Sequence, residues 1–518
     1  MNAVLGQLDH RASLSKQLLL ILIFSFTAAD FLHNGIVAIN AAPVMGEIGA
    51  SPEEYSSVAT IYAVVAITTI YKQRWIVERL GWRLFVQASM CLFAAGALTC
   101  AISSTLVEFA LGRALMGLGG ATFFTVGRVI VNHIPPSKAR FTGIKYFANG
   151  LAVGGMLGPL IAAAAVLHGT WRYAFIALIV PALAIALIST FVLPNSATAA
   201  EKRSHTHPKA LVILILGSFV LLHALQRSSY DWFVAPGWIE ASVTVALLAL
   251  VMFVLWELRN DQPSLRFRDL VQRRFIVGAC AFTATYAIVA GDNYVLPILI
   301  RQALNLPLEI VGMFLAIGAS AGFVVWQVMS RFVAGHPGPS RYFIAGFVCL
   351  GIFGFVLSRL SESADPWIHI APALLLNGAF VMLVLATTAM QTFQKLQHDE
   401  TVFSNANQVK NMLAQFGTAV GIAVATLVMQ WRGTTRYAQL SESVTLGRPG
   451  VDDILSRLTA HFSSVGDPAL AGKRALAVVN QLMTEQSLFM AATDYFLGIA
   501  VLASACISMV LLERTWRK

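Results

Sequence analysis

The chain has 518 residues, of which 57% are hydrophobic and 12% are charged, and its formal net charge is +10. Soluble domains carry about twice this charged fraction, so the composition excludes an ordinary water-soluble protein and indicates a membrane protein with many spans. The cations lie in short loops, with no basic arm or helix, so we expect them to face the cytoplasm and the inner leaflet and expect no nucleic-acid partner.

Apolar stretches run through the chain, each long enough to cross a bilayer as a helix of about 20 residues. Backbone groups in lipid must bond within their own segment, so the spans are predicted to be helices. The fourteen predicted spans are 17–42, 55–73, 84–104, 106–131, 143–167, 173–193, 209–226, 237–257, 275–300, 308–332, 341–360, 367–391, 405–430 and 487–512. The first is too long for the core of a signal peptide and is predicted to be retained.

The charges of the loops predict the topology. The loop after the second span carries four cations between Lys72 and Arg83, whereas the loop after the first carries three glutamates and no cation. Because Lys and Arg are enriched in cytoplasmic loops, both termini are predicted to be cytoplasmic. The long loop 431–486 is then extracytoplasmic, with two short amphipathic helices expected around 451–462 and 470–483.

The spans divide into two halves of six with an extra pair between them. Residues 1–193 form the first half, and residues 275–518, which include the long outer loop, form the second half. Residues 194–274 contain cytoplasmic linkers and two additional helices at about 209–226 and 237–257. Duplicated halves are a common transporter plan, with the substrate site near the midplane between them. We expect the extra pair to pack at the periphery; the alternatives are a wall of the cavity or a dimer contact.

The loop after the second span contains a short motif. Residues 74–83 read RWIVERLGWR, in which Glu78, Arg79, Gly81 and Arg83 stand at fixed spacing. These four positions match the helix 2–3 loop signature of the major facilitator superfamily, which the chain resembles, although the segment begins with arginine where that family has glycine. We expect the carboxylate at the end of helix 2 to pair with a cation of the neighbouring helix.

Glycine motifs in spans four and five extend the resemblance. Span four contains Arg113 and Gly117, similar to the family's Arg-x-x-x-Gly pattern, and span five contains Gly154, Gly158 and Pro159 in the sequence GGMLGP. The span-five motif resembles the antiporter signature of drug:proton exporters. Small residues four apart allow two helices to approach closely, and proline bends a helix. Packing alone is the alternative interpretation, because spaced glycines occur in many helix bundles.

The last spans resemble one branch of that family. Span 13 contains Gly417 and Gly421 after several asparagines, and together with the polar residues of span 14 it is similar to the closing region of the fourteen-helix drug:proton antiporters. The resemblance covers nearly the whole chain. It implies an all-α major facilitator fold of fourteen helices, arranged 6 + 2 + 6, that works by alternating access as a proton-coupled exporter.

One carboxylate lies deep in the first span. Asp30 is about 13 residues into that span, or about 20 Å along the helix. Arg113 enters span four from the other side and is predicted at a similar depth, where the two groups can offset each other's desolvation and share a proton relay. The family's acidic position falls at Asn34, one turn later on the same face. Either the acidic function has moved to Asp30 or Asp30 is structural; an acid inside the membrane favours function.

Other polar and aromatic side chains are candidates for the walls of a substrate cavity. They are Asn34, Tyr62, Phe124, Tyr146, Asn149, Tyr286, Asn377, Asn411 and Gln415. Asp292 and Asp494 are secondary candidates. For Asp494 a cap or an interfacial pair is the alternative to function, and for Asp292 a solvated interface at the outer end of its span is favoured over function. Lys410 is expected to extend its ammonium group towards the cytoplasm.

The motifs of the competing protein classes are missing from the sequence. It has no phosphate-binding loop, no HExxH and no nucleophile elbow, so we expect no enzyme, no catalytic residue and no use of ATP. Neither the five cysteines nor the pair His205 and His207 has metal-ligand spacing, so no metal or other cofactor is expected. The energy source is then an ion gradient, here of protons, or the substrate's own gradient.

These features predict a multi-pass protein of the cell inner (plasma) membrane that exports amphipathic small molecules or drugs in exchange for protons. The alternatives are a dedicated exporter of one endogenous compound, such as a siderophore, lipid or toxin, and a non-transporting membrane sensor. The expected partners are the substrate, protons and the lipid bilayer. If the chain comes from a double-membrane bacterium, a periplasmic adaptor protein is a further expected partner.

Overall fold

The computed structural model describes residues 2–134, 137–199, 203–205, 207–333, 338–361, 364–396, 398–445, 448–465 and 467–516. Within these ranges the chain forms helices and short connections, without a strand, so the predicted all-α class is confirmed. The helices are α1 (Asn2–Ile48), α2 (Pro52–Leu80), α3 (Trp82–Ile102), α4 (Leu106–Gly120), α5 (Phe123–His133), α6 (Lys138–Leu167), α7 (Arg172–Val192), α8 (Pro208–Asp231), α9 (Pro236–Arg259), α10 (Phe267–Leu270), α11 (Arg273–Pro297), α12 (Leu308–Phe332), α13 (Pro339–Ser358), α14 (Pro366–Phe393), α15 (Glu400–Ser443), α16 (Pro449–Val465) and α17 (Pro468–Trp516). A π-helix, Ile298–Ala303, continues α11.

In the described part of the chain, 13 helical segments are long and apolar enough to cross a membrane, with α4 and α5 counted as one. α2 is not among them, although it has 29 residues, because polar side chains such as Thr60, Gln73 and Glu78 lie on its buried face. α2 packs against α4, α8 and α15, so other helices surround this face. A fourteenth span at α2 remains a prediction, as does the cytoplasmic location of both termini.

Local sequence signals set several helix ends. Ser51 and Glu54 form a capping box at the start of α2: the Ser51 hydroxyl accepts a hydrogen bond from the Glu54 N–H at 3.1 Å, and the Glu54 carboxylate accepts one from the Ser51 N–H at 2.8 Å. Thr105 and Glu108 form the same arrangement at the start of α4. α2 ends at Gly81, whose φ of 79° lies in the region that glycine adopts without a Cβ penalty.

Two predicted segments differ from the structure. The predicted span 106–131 is divided into α4 and α5, with a break at residues 121–122 directly after two glycines. The long loop predicted at 431–486 contains α16 as expected but no second separate helix, because α15 extends to Ser443 and α17 begins at Pro468. Between Gly472 and Gly498 no glycine or proline interrupts α17, so the helix continues from the predicted loop into the last span.

One pair of helices in each half packs along its length. α1 packs on α6 in the first half, and α11 packs on α15 in the second half. The halves meet where α6 packs on α12 and where α15 packs on α2 and α5. The space between the halves is therefore bordered by α1, α5, α11 and α15.

The extra pair, α8 and α9, lies against both halves. α8 packs on α2 of the first half and on α15 of the second half. α9 packs on α8 and exposes apolar side chains such as Leu248 and Val251. The Tyr71 hydroxyl of α2 donates to the buried Glu257 carboxylate of α9 at 2.9 Å. The pair bridges the halves from outside, and its absence from the translocation path remains a prediction.

Candidate translocation site

The face of α1 that contains Asp30 is accessible. Asp30 is partly buried, and Asn34 and Ala38, one and two turns further along, are exposed. α1 packs on α5, α6 and α7 and also touches α11 of the other half. A carboxylate and an amide that faced lipid in the middle of a membrane would be costly, so this face borders the space between the halves.

A buried ammonium group lies on α15. Lys410 is 1% exposed, and its Nζ atom lies 3.8 Å from the ring centroid of Phe124, 5.2 Å from that of Phe282 and 5.9 Å from that of Tyr286. These rings offset part of its desolvation through cation–π attraction. Among the described residues, Nζ has no hydrogen-bond partner. The expectation that Lys410 extends to the cytoplasm is therefore wrong.

Further polar groups adjoin Lys410. Arg128 of α5 is buried, with its guanidinium carbon 5.8 Å from the ring centroids of both Phe147 and Phe393. Asn411 of α15 donates a hydrogen bond from its amide to the Thr125 hydroxyl of α5. The central cluster, as we name this set, consists of Asp30, Phe124, Thr125, Arg128, Phe282, Tyr286, Lys410 and Asn411.

The charges of the central cluster come from both halves. When ionised, Asp30 of α1 is close enough to Lys410 of α15 to attract it, and Arg128 of α5 is close enough to repel it. Over the described residues, no Lys, Arg or His nitrogen lies within 4.0 Å of the Asp30 carboxylate. The cluster thus combines two cations with one carboxylate, without a direct ion pair.

Arg113 has a different partner from the predicted one. It is 5% exposed, and its Nη1 donates to Nε2 of the buried His33 at 2.5 Å. Because Nε2 accepts this bond, His33 carries its proton on Nδ1 and is neutral. The Arg113 guanidinium also lies 4.1 Å from the ring centroid of Tyr62, whose hydroxyl is within electrostatic reach of both Arg113 and Asp30. The direct pair of Asp30 and Arg113 is not formed, and the contribution of either residue to proton coupling remains a prediction.

The structure places some of the predicted cavity residues at the centre and others elsewhere. Those in or beside the central cluster are Tyr62, Phe124, Tyr286 and Asn411. Asn149 of α6 accepts a hydrogen bond from Gln327 of α12 at 2.8 Å and so connects the halves. Asn377 is buried on α14, Gln415 lies one turn after Asn411, and Tyr146 is exposed on α6.

Glycines of α6 form the contact with α1. A Cβ atom on Gly154 would lie 2.9 Å from the Ala28 Cα and would overlap the Ala28 carbonyl oxygen. A Cβ atom on Gly158 would lie 3.0 Å from the Cα of Gly35, and one on Gly35 would lie 2.9 Å from Cδ of Pro159. The backbones therefore approach as closely as the glycine spacing predicts.

The second half contains a matching contact. A Cβ atom on Gly417 of α15 would lie 2.6 Å from the Thr283 carbonyl oxygen of α11, and one on Gly421 would lie 2.7 Å from the Ala287 Cα. In the first half, Gly117 of α4 similarly faces the backbone of α2. These glycines allow neighbouring helices to pack closely, and the same kind of glycine contact occurs in both halves.

The helix 2–3 loop motif binds the linker between the halves. The Glu78 carboxylate accepts hydrogen bonds from Arg74 Nε at 2.7 Å and from the Ser204 N–H and hydroxyl at 2.5 and 2.6 Å. Other motif residues that face the chain between 193 and 204 are Arg79, Gly81 and Arg83. Glu78 therefore pairs within its own helix and with the linker, and the expected pair with a neighbouring helix is not formed.

The two secondary acids differ in their surroundings. Asp292 is 0% exposed, accepts a hydrogen bond from the Tyr495 hydroxyl at 3.3 Å and has no partner at Oδ2 within the described chain. Its expected location at a solvated interface is wrong. Asp494 accepts hydrogen bonds from Arg432 Nε at 2.8 Å and Arg436 Nη2 at 2.9 Å, so it forms the ion pair that is the alternative to a functional role, and a role in transport remains a prediction. Across the described ranges, no group of three or more His, Cys, Asp or Glu side chains could hold a metal ion.

Comparison with protein families identifies this architecture. The profile of the Major Facilitator Superfamily matches residues 19–426, a stretch that contains the whole central cluster. The chain belongs to the Major Facilitator Superfamily. It is therefore a transporter and not an enzyme, and its apolar helices make it a multi-pass protein of the cell inner membrane.

Individual relatives and structures are consistent with this membership. The MdtD protein of Escherichia coli O1:K1 / APEC, named for multidrug resistance, is 26% identical over 397 residues, which cover 75% of this chain and 81% of MdtD. MdtD of Escherichia coli O157:H7 is 25% identical over 413 residues, which cover 78% and 84%.

Two solved structures share the fold. A bacterial homologue of the human lysosomal transporter Spinster, inward-facing and unoccupied, aligns with a TM-score of 0.55 and 13% identity over 96% of this chain and 98% of that chain. The human organic anion transporter MFSD10 (TETRAN) aligns with a TM-score of 0.56 and 14% identity over 94% and 99%. At these identities the alignments show a common fold alone.

Three groups of the site belong to no sequence motif. They are His33, Arg128 and the buried ammonium of Lys410. All three lie within predicted spans, where an ionisable side chain is a functional candidate by default, so this signal was available in the sequence. Which neighbour each side chain meets depends on helix rotation, which the sequence does not specify.

Proposed function

We propose that this transporter exports amphipathic small molecules in exchange for protons and that Asp30 carries the proton. The supporting observation is the position of Asp30 on the accessible face of α1, where it interacts electrostatically with Lys410 of the other half. The relatives named for multidrug resistance support a drug-like substrate. The proton gradient supplies the energy in this proposal, and no cofactor takes part.

Protonation of Asp30 changes the attraction between the halves. Ionised Asp30 on α1 and Lys410 on α15 attract each other across the interface. A proton on Asp30 removes this attraction and shifts the equilibrium between conformations that open to opposite sides of the membrane. The glycine contacts hold α1 to α6 and α11 to α15, so each pair moves as a unit and the rearrangement falls between the halves.

Arg113 supports this site from a fixed position. His33 and Tyr62 hold its guanidinium in the first half, so its positive charge acts on the region of Asp30 without a direct bond. The rings of Phe124 and Tyr286, which are only partly buried, offer surface for the apolar part of a substrate. A dedicated exporter of one endogenous compound would use the same groups and would differ in its range of substrates.

Proton movement in reconstituted liposomes tests the proposal. Purified protein is inserted into liposomes that contain a pH-sensitive dye and an acidic lumen, and a panel of amphipathic drugs is added outside. We expect drug accumulation together with a drug-dependent rise in luminal pH, and no such rise in protein-free liposomes. Once a protonophore has collapsed the pH difference across the membrane, the pH difference no longer drives drug accumulation. Drug accumulation with no change in luminal pH would rule out proton exchange, and no accumulation of any drug in the panel would rule out the substrate class.

A further inference from the structure

The central cluster contains more positive than negative charge. Lys410 and Arg128 stand against the single carboxylate of Asp30, and among the described residues neither cation has an ion-pair partner within 4.0 Å. Arg113 adds a third positive charge nearby, because its partner His33 is neutral. Even with Asp30 ionised, the centre of the transporter therefore carries excess positive charge.

Lys410 is the least compensated of these groups. Lys410 is 1% exposed, and its Nζ atom is in contact with aromatic rings, which attract a cation but accept no ordinary hydrogen bond from it. An ammonium group buried without an acceptor is costly, and inside a membrane such a group marks a substrate or ion pathway. If Lys410 serves as the counter-ion of Asp30, that pairing accounts for one of the two cations. Arg128 is then left without a counter-ion.

We propose that the central cluster binds an anionic group of the substrate between Lys410 and Arg128, with the apolar body of the substrate against Phe124 and Tyr286. This inference rests on the proposed function, because it names the substrate class of the same site. Carboxylate, sulfonate and phosphate groups share the required chemistry, which is a negative charge on oxygen atoms that accept hydrogen bonds from Lys and Arg.

The proton and the anionic group both weaken the attraction between Asp30 and Lys410, and each neutralises a different partner. The proton neutralises Asp30 on the first half, and the anionic group neutralises Lys410 on the second half. Each ligand therefore releases the attraction between the halves, as an exchanger requires of its two substrates. Inward movement of a proton and outward movement of an anion both carry positive charge inward, so a membrane potential that is negative inside drives the exchange.

Three matched probes test the inference on the purified full-length protein in detergent. 2-Naphthoate is an anion, 2-naphthamide is neutral and 2-naphthylmethylammonium is a cation, so the head group is the only large difference among them. Their affinities are measured by isothermal titration calorimetry at neutral pH. The variants are Lys410→Gln, Lys410→Arg and, as a control, Lys138→Gln, which removes an exposed lysine at the start of α6.

The wild-type protein should bind 2-naphthoate about tenfold or more tightly than the cation, as expected for a charge-assisted hydrogen bond. Lys410→Gln should weaken 2-naphthoate binding by about the same factor and leave 2-naphthamide unchanged. Lys410→Arg should keep the preference for the anion, and Lys138→Gln should bind all three probes like the wild type.

Several outcomes overturn the inference. They are no binding of 2-naphthoate to the wild type, equal or tighter binding of the cation, and an affinity for 2-naphthoate that Lys410→Gln does not change. The wild-type ranking needs no variant, so the test remains decisive even if Lys410→Gln does not fold. Binding in detergent involves no proton gradient, so the result of this test does not depend on the result of the liposome test. If the protein exchanges drug for protons but does not prefer the anionic probe, the proposed function stands and the inference of an anionic substrate is wrong.

Discussion

The first helices of the two halves, α1 and α11, each carry an aspartate, and the two aspartates have opposite surroundings. Asp30 is partly buried on a face of α1 that continues to the exposed Asn34. Asp292 is fully buried between α11 and α17, with Tyr495 as its hydrogen-bond donor. Both are acids inside predicted spans. The packing of the neighbouring helix therefore decides which of the two acids is accessible.

The scaffolds around these two helices are alike. Gly154 and Gly158 of α6 contact α1, as Gly417 and Gly421 of α15 contact α11. The charges are not alike, because the first half contributes the acid Asp30 and the cation Arg128 to the centre, whereas the second half contributes the ammonium of Lys410. The two halves therefore pack alike and differ in the charges that they bring to the site.

Removal of Arg113 should give the largest loss of stability and would show how firmly α1 is held beside its accessible face. Arg113→Ala loses a charged hydrogen bond to His33 and the contact with Tyr62, so the free energy of unfolding should fall by about 3 kcal/mol. Arg113→Lys should lose less. Titration with a denaturing detergent measures both variants, and the loss in the double variant Arg113→Ala, His33→Ala should be smaller than the sum of the two single losses, because both remove the same hydrogen bond. Equal stability of Arg113→Ala and Arg113→Lys would show that this contact does not fix α1.

Substitution of the interface glycines tests whether the helices of the two halves are packed equally tightly. Gly154→Ala and Gly421→Ala each place a methyl group against a facing backbone, which should cost about 1–3 kcal/mol of unfolding free energy. Gly158→Leu should block transport by pushing α1 away. The control is Gly155→Ala, whose methyl group would have ordinary contacts and should be neutral or stabilising by up to about 1 kcal/mol. If Gly421→Ala behaves like Gly155→Ala, the contact of α15 with α11 is looser than that of α6 with α1.

The smallest effect is expected at the ion pair between α15 and α17. Asp494→Asn weakens the contacts with Arg432 and Arg436, which are partly exposed, and should cost about 1 kcal/mol or less. Asp453→Asn is the matched control, because Asp453 and its partner Arg457 are largely exposed and should contribute nothing measurable. Thermal unfolding of both variants measures the difference. A loss at Asp494 as large as that at Arg113 would mean that this acid organises the half.

The sequence predicts the architecture better than the site. Apolar length and glycine spacing are local properties, so the helices and the contacts of Gly154 and Gly421 follow from them. α2 is the exception, because its hydropathy is lower than that of the other predicted spans. Its polar side chains are tolerated because other helices cover the face on which they lie. The continuous α17 differs from the expected loop helix because a helix without interrupting residues continues past the membrane boundary.

The site depends on contacts that no local pattern contains. Depth along a helix predicts Asp30 and Arg113 at one level in the membrane. Depth does not specify how each helix is rotated about its own axis, and in the structure Arg113 faces His33 instead. Lys410 illustrates the same limit: its distance from the end of α15 suggested an interfacial ammonium, whereas its direction brings it to Phe124. Side-chain direction across the interface between the halves becomes known only from the packed structure.

Proton coupling in Asp30→Asn and Asp292→Asn tests the central claim most directly. Liposomes with each variant are assayed for drug counterflow, which needs no proton, and for the drug-dependent rise in luminal pH. We predict that Asp30→Asn keeps counterflow and loses the pH change, because an amide cannot carry the proton, while Asp292→Asn keeps both. Drug–proton exchange at the wild-type rate in Asp30→Asn would contradict the account.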